Sequence, residues 1–290
     1  MTAARVIDVS EEESRAEVSE PEGLGDQGSD IAKQMDRTHT IAHAFDQADS
    51  YHQRARVQRL IARSLDDRLA KWRAPSRPKV LEVGCGSGFL SEVMVKRYPE
   101  GRFLFTDIAP AMVARCRQHL ESGNRSASHR FAVMDGSNPA LEERFDLIAG
   151  SMAFQWFADL KQSLSRLTAH LEPGGCLAFA TLGSGTFQEW HGACERAGLP
   201  KGTPIYPSAA QWPEIWPGGG VGEMEEEWFT VRHPSGAEFL RDLKRIGAQT
   251  PAPDYRPLSP GALRSLLRDL EGADGFSVSY HVIHGIFKKS

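Results

Sequence analysis

Between residues 79 and 182, short apolar runs alternate with amphipathic stretches, and this alternation restricts the fold more than any other feature of the chain. The runs are KVLEV (79–83), RFLFTD (102–107), HRFAV (129–133), FDLIAG (145–150) and CLAFATL (176–182). Apolar residues at helical spacing occupy most of the intervals, notably 89–98, 110–121 and 158–171. Units of this kind build a parallel sheet with helices on both faces. After residue 182 the rhythm changes. A helix-like stretch (186–197) leads into Pro- and Gly-rich sequence containing GLPKGTPIYP and WPGGGVG, a strand near 224–232, helical stretches near 235–247 and 259–271, and a last strand near 277–287. Five parallel strands and two late ones paired at one edge predict an α/β protein with a seven-stranded, mostly parallel Rossmann-like sheet. A leading helical segment (37–72, with Ile41, Ala44, Phe45, Val57, Leu60, Ile61 and Leu65 at helical spacing) and the late insertions are expected to form a helical lid. The expected division is an acidic disordered head (1–36), a helical cap (37–73), a ligand-binding core (76–182), and cap insertions with two edge strands (183–290).

The first strand runs into VLEVGCGSGFL (80–90), where Gly84, Gly86 and Gly88 alternate. Glycines at the end of a first β-strand let the chain turn sharply and bring backbone close to a ligand. A dinucleotide fingerprint would place its third glycine where this chain has Phe89. Asp107 ends the second strand, 21 residues after Gly86, where a carboxylate can accept both hydroxyls of a ribose. Asp135, in VMDG after the third strand, is placed for an adenine edge, and Glu82 lies inside the first strand near the turn. An acidic residue there suits a positively charged ligand better than a pyrophosphate. S-adenosylmethionine, with its sulfonium and ammonium groups, is such a ligand.

Bulk properties narrow the classes further. The chain has 290 residues, 40% hydrophobic and 25% charged, and no apolar stretch long enough for a membrane span. The acidic start lacks the apolar centre of a secretory signal, so a cytoplasmic location is expected. Cys85, Cys116, Cys176 and Cys194 are scattered, which suggests neither a disulfide framework nor a zinc site. His281 and His284, three apart on a strand, point to opposite faces and do not make a metal pair; no metal is expected. The head holds ten of the chain's 38 acidic residues and three of its 34 basic ones, leaving 28 acidic and 31 basic in residues 37–290. No basic stripe with interleaved aromatics and no NPPY motif points to nucleic acid.

The E-x-G-x-G-x-G turn resembles motif I of the class I S-adenosylmethionine-dependent methyltransferases. Five further segments, FDQADSYHQRARVQ (45–58), SMAFQWF (151–157), TLGSGTFQEW (181–190), EFLRDLKRIGAQ (238–249) and YHVIHGIF (280–287), together resemble the malonyl-acyl-carrier-protein O-methyltransferases of biotin synthesis. The likeness runs from about Phe45 to the C-terminus and departs in the head and at 211–222. It implies methyl transfer to the free carboxylate of a malonyl thioester on an acidic acyl carrier protein. Tyr51, Gln155 and Trp156 are then expected at the reacting centre. Glu82, Gly84, Gly86, Gly88, Asp107, Ile108, Met112, Asp135, Gly136 and Ser151 are expected around the donor. Phe187 and His281 are expected at the acyl group, with Arg241, Lys244 and Arg245 as a basic helix face for the carrier. A carboxylate is ionised at neutral pH, so this chemistry needs positioning groups rather than a strong base. Two other readings stay open: a methyltransferase for a small free acid such as trans-aconitate, and a protein that binds the donor without turnover.

Overall fold

A computed structural model of the chain describes residues 5–8, 29–123, 128–271 and 275–290. The five expected parallel strands are β2 (Lys79–Val83), β3 (Arg102–Asp107), β4 (His129–Val133), β5 (Phe145–Ser151) and β6 (Leu171–Leu182). The late pair is β7 (Gly220–His233) and β8 (Phe276–Lys289), antiparallel to each other over their length, with β8 antiparallel to β6. To these seven the structure adds a short eighth strand, β1 (Arg5–Asp8), parallel to β7, which gives the order β1-β7-β8-β6-β5-β2-β3-β4. The acidic head is thus not wholly outside the fold. Its one apolar run, Val6-Ile7, lies in an edge strand, and the first helix starts at Ser29, before the expected boundary at 36. The expectation of disorder for 1–4 and 9–28 falls outside the described residues.

Helices α1 (Ser29–Asp46), α2 (Tyr51–Arg54) and α3 (Arg56–Leu69) replace the single leading helical segment; the chain breaks at 47–50 and again at Ala55. Helices α4 (Phe89–Arg97), α5 (Pro110–Gly123) and α6 (Leu160–Ala169) follow β2, β3 and β5. Beyond β6 lie α7 (Gln188–Arg196), α8 (Trp212–Ile215), α9 (Gly236–Arg245) and α10 (Pro260–Leu270). Local chemistry starts several of them. Asp159 accepts the Gln162 amide at 2.9 Å, Ser235 that of Glu238 at 3.1 Å, and Ser259 that of Ala262 at 3.3 Å ahead of Pro260.

The sheet is packed on both faces, and the period of two decides which residue serves which. Val80 joins the layer formed with Ile61, Leu65, Leu69 and Leu90, whereas Leu81 and Val83 join the opposite layer with Phe154, Leu164 and Leu167. The Trp- and Gly-rich region 211–222 belongs to the second layer: Trp212 is fully buried, and its ring lies 5.3 Å from Phe179 and 5.2 Å from Trp216. Among the described residues no helix is long and apolar enough to cross a membrane.

Candidate active site

The parallel strands end together, and the turns after β2, β3, β4 and β5 converge on a cavity of about 750 Å³, open on one side. A cleft beyond the carboxyl ends of the strands is where open α/β sheets hold their ligands. Gly84, Gly86, Asp107, Ile108, Met112, Asp135, Gly136 and Ser151 all line it, as do Tyr51 and Trp156. At Gly84 the chain takes φ +74°, and a Cβ there would fall 2.3 Å from that of Ala153. Only glycine therefore lets the turns after β2 and β5 meet. The same loop turns its Gly86 amide onto Asp107, donating to Oδ2 at 2.8 Å, while the Ala109 amide donates to Oδ1 at 3.0 Å. Burial pushes the Asp107 carboxyl up to about 6, although the amides of Ala109, Gly86 and Ile108 pull it down. Asp135 accepts from the amide and hydroxyl of Ser137 at 2.8 and 2.7 Å. The Ser151 hydroxyl is buried and has no partner among the described residues.

Three of the expected donor-site and acyl-site residues are not brought to these cavities. Glu82 follows Val80 in the two-residue period and so points beneath α4, where Ser91 donates to it at 2.6 Å. Burial, and next the neighbouring Cys116, drives its carboxyl well above the carboxylate range. Gly88 is the residue before α4, with φ +96°, and a Cβ there would press on His119 and Cys116. His281 faces away from these cavities: its ring stacks on Trp228 at 4.4 Å, the Gly185 amide donates to Nδ1 at 3.2 Å, and Nε2 sits 3.2 Å from Glu226. Its neighbour Tyr280, on the other face of β8, lines a cavity instead.

A second chamber, of about 460 Å³, adjoins the first and shares Phe45, Tyr51, Met152 and Trp156 with it. Its remaining wall holds Gln155, Phe187, Leu182, Tyr206, Tyr280 and Gln58, with Leu243, Ile246 and Ala248 from the end of α9 onward. Gln155 is held by its own turn, donating from Nε2 to the Met152 carbonyl at 2.8 Å. Phe45 packs edge-on against both Trp156 (5.7 Å) and Tyr51 (6.2 Å), so three rings from α1, α2 and the turn after β5 mark the junction. None of the residues lining this chamber is Asp, Glu, His, Lys or Arg. Burial raises the hydroxyls of Tyr51, Tyr206 and Tyr280 well above the usual phenol range, so each stays protonated. A third cleft, of about 910 Å³, shares Trp156, Phe187, Tyr206, Leu243 and Ala248 with the second and opens between Lys201, Lys244 and Tyr255.

The basic face of α9 is only partly as expected. Arg241 pairs with Glu238 at 2.6 Å, and Arg245 with Glu238 at 2.7 Å and Asp242 at 3.3 Å. Of the three, Lys244 lines the third cleft. Tyr206 and Tyr280 were not expected at the site. Tyr280 stood beside His281 in the sequence, but nothing in the sequence pointed to Tyr206. Among the described residues no group of three or more His, Cys, Asp or Glu is placed to hold a metal.

The sheet order and the glycine turn facing Asp107 define a Rossmann-like methyltransferase fold. The family model described as a methyltransferase domain matches residues 81–177. A provisionally assigned methyltransferase of Bacillus halodurans superposes with a TM-score of 0.58 at 13% identity, covering 79% of this chain and 98% of that one. Within that class the likeness is closer and nearly full length. A malonyl-[acyl-carrier protein] O-methyltransferase of Magnetococcus marinus is 44% identical over 88% of this chain and 94% of its own. The biotin biosynthesis bifunctional protein BioCD of Bordetella avium is 39% identical over 86% of this chain and 52% of its own. The chain belongs to the malonyl-[acyl-carrier protein] O-methyltransferase family.

Proposed function

We propose that the chain methylates the free carboxylate of a malonyl thioester held on acyl carrier protein, using S-adenosylmethionine, as a step of biotin synthesis. The observation that carries this reading is the run of three adjoining spaces from the strand ends to the surface. A long thioester arm can thread such a run, whereas a small diffusible acid does not require it. The donor cavity fits S-adenosylmethionine in its own chemistry. Asp107 has lone pairs left for ribose hydroxyls, Asp135 and Gly136 stand at the adenine end, and the Ser151 hydroxyl, unpartnered among the described residues, faces the cavity. Bound there, S-adenosylmethionine supplies an electrophilic methyl on a sulfonium.

The chain's own residues then position and desolvate the acceptor. The junction rings of Phe45, Tyr51 and Trp156 exclude water where the two cavities meet. Neutral donors, the hydroxyl of Tyr51 and the amide of Gln155, orient an ionised carboxylate there. A lysine or arginine paired directly with it would damp its nucleophilicity, and none lines the chamber. No base is needed, because the acceptor is already deprotonated. Tyr280 and Phe187 wall the short acyl group.

The test is to incubate the purified chain with S-adenosylmethionine and malonyl-carrier protein, with malonyl-coenzyme A and trans-aconitate in parallel. Mass spectrometry reads the products. One methyl on the malonyl carrier, and none on the acetyl carrier, is the expected result. A methyl on trans-aconitate alone would overturn the reading in favour of a small-acid methyltransferase.

A further inference from the structure

The third cleft opens beside an unusual residue. Ile205 is 98% exposed, the most exposed large apolar side chain among the described residues. Its neighbours Pro204 and Tyr206 both line the cleft, so Ile205 points outward at the rim. The loop that carries it is not loose. Trp190 donates from its indole to the Lys201 carbonyl at 2.8 Å, and His191 meets the Thr203 hydroxyl at 2.7 Å. The Ala252 amide donates to the Gly202 carbonyl at 2.9 Å, and that of Ser184 to the Pro207 carbonyl at 3.1 Å. Gly202 has φ +76°, and a Cβ there would strike the Tyr255 ring at 2.7 Å. An isoleucine displayed from a loop pinned at four points is a fixed apolar contact, not a side chain that folds back when the chain relaxes.

Charge at the rim favours an acidic occupant. Lys201 and Lys244 line the cleft from opposite elements, and neither has an ion-pair partner among the described residues. The guanidinium of Arg245, by contrast, is taken up by Glu238 and Asp242. An apolar anchor flanked by uncommitted cations fits the pattern of a buried interface centre with a charged rim that steers its partner.

We propose that this rim, with Ile205 as anchor and Lys201 and Lys244 as flanking cations, is the docking surface for the acidic carrier protein, which feeds its thioester arm between Tyr206 and Leu243. The inference rests on the reading of the preceding subsection. It keeps Lys244 from the expected basic face of α9, leaves out Arg241 and Arg245, and adds Ile205 and Lys201, which sequence reasoning did not single out.

The experiment compares the full chain with Ile205→Asp and with the double variant Lys201→Glu/Lys244→Glu. Two substrates are used, malonyl-carrier protein and carrier-free malonyl-phosphopantetheine, and carrier affinity is measured separately by titration calorimetry. Thermal melting and S-adenosylmethionine affinity confirm folding. Each variant is expected to weaken carrier binding at least tenfold and to lower the carrier to carrier-free ratio of kcat/KM by a similar factor. The double variant is also expected to flatten the salt dependence of carrier binding. Unchanged carrier affinity in both variants, with the parent chain active on malonyl-carrier protein, overturns the docking surface and leaves the proposed function standing. A parent chain inactive on both substrates overturns the proposed function and the docking surface with it. A concentration-dependent dimer that Ile205→Asp abolishes, with carrier affinity unchanged, reassigns the patch to a second copy of the chain.

Discussion

Gly84 and Asp107 show how single residues set the cavity proposed for the donor. At φ +74° a side chain costs about 1–2 kcal/mol in the backbone alone. The Cβ would also displace the turn bearing Met152, Gln155 and Trp156. Gly84→Ala is therefore expected to lower the melting temperature and to weaken S-adenosylmethionine binding more than tenfold, as calorimetry would read. Asp107 makes a different prediction. Its folded value of about 6 lies above the ordinary 3.8, so the ligand-free fold binds the extra proton between these values. Ionising Asp107 costs the free chain stability as pH rises from about 4 through 6. In the proposed donor site, ribose hydroxyls donating to Asp107 would favour its ionised form. Donor affinity should thus fall as pH drops from 7 to 5, approaching tenfold per unit below 6. Asp107→Asn should bind weakly with a flat profile over that window. An unchanged slope in Asp107→Asn would place the titrating group elsewhere.

At the scale of elements, α1 and α2 form a strap over the cavity at the strand ends. Asp46 caps α5 through the Ala111 amide at 2.8 Å, and Arg115 donates to the carbonyls of Phe45 and Asp46 at 3.3 and 3.2 Å and to the Asp49 carboxylate at 2.7 Å. Arg37 donates to the Pro251 carbonyl at 2.6 Å at the other end. Arg115→Ala should free the α1–α2 turn, raise donor Kd about tenfold, and speed amide exchange over residues 44–54 while the β-sheet stays protected. What was legible in the sequence divides along the same lines. β2 and β3 begin and end where their runs do, because strands buried between helix layers are mostly apolar, and β4 does so although it is the partly exposed edge of the sheet. β6 starts at Leu171 rather than 176 because Pro173, Gly174 and Gly175 read as a break yet lie within the strand. The position of the cavity at the strand ends was legible because βα order alone places those ends together. Glu82 and His281 were misplaced by one step of the two-residue period, and Tyr206 reaches the second chamber from a loop whose position depends on contacts with α7 and residues 247–258.

The whole molecule is tied together by one buried polar cluster. Glu227 on β7 accepts from the Ser64 hydroxyl of α3, lies 3.0 Å from His284 Nε2 on β8 and 3.5 Å from Arg68 Nη1, and is itself buried. Arg68 continues to Glu225 at 3.0 Å, and Lys71 reaches Glu225 at 3.3 Å. The cluster ties α3 to the final strand pair, β7 and β8. Burial on its own would raise the Glu227 carboxyl, but His284, Ser64 and Arg68 hold it down to about 2. Burial keeps His284 below the usual imidazole range despite Glu227, which leaves it neutral with Nε2–H donating. A carboxyl with a depressed folded value stabilises the fold above its ordinary value of 4.5 and loses that contribution as pH falls towards 2. Glu227→Gln keeps the shape and removes the charge. It should cost about 3 kcal/mol at pH 7, the size of a carboxyl shift from 4.5 to about 2, measured by urea unfolding. The gap between parent and variant should close steadily between about pH 4.5 and 2. A gap that stays constant with pH would mean that Glu227 supports the fold through packing alone, and that acid unfolding begins at another carboxylate.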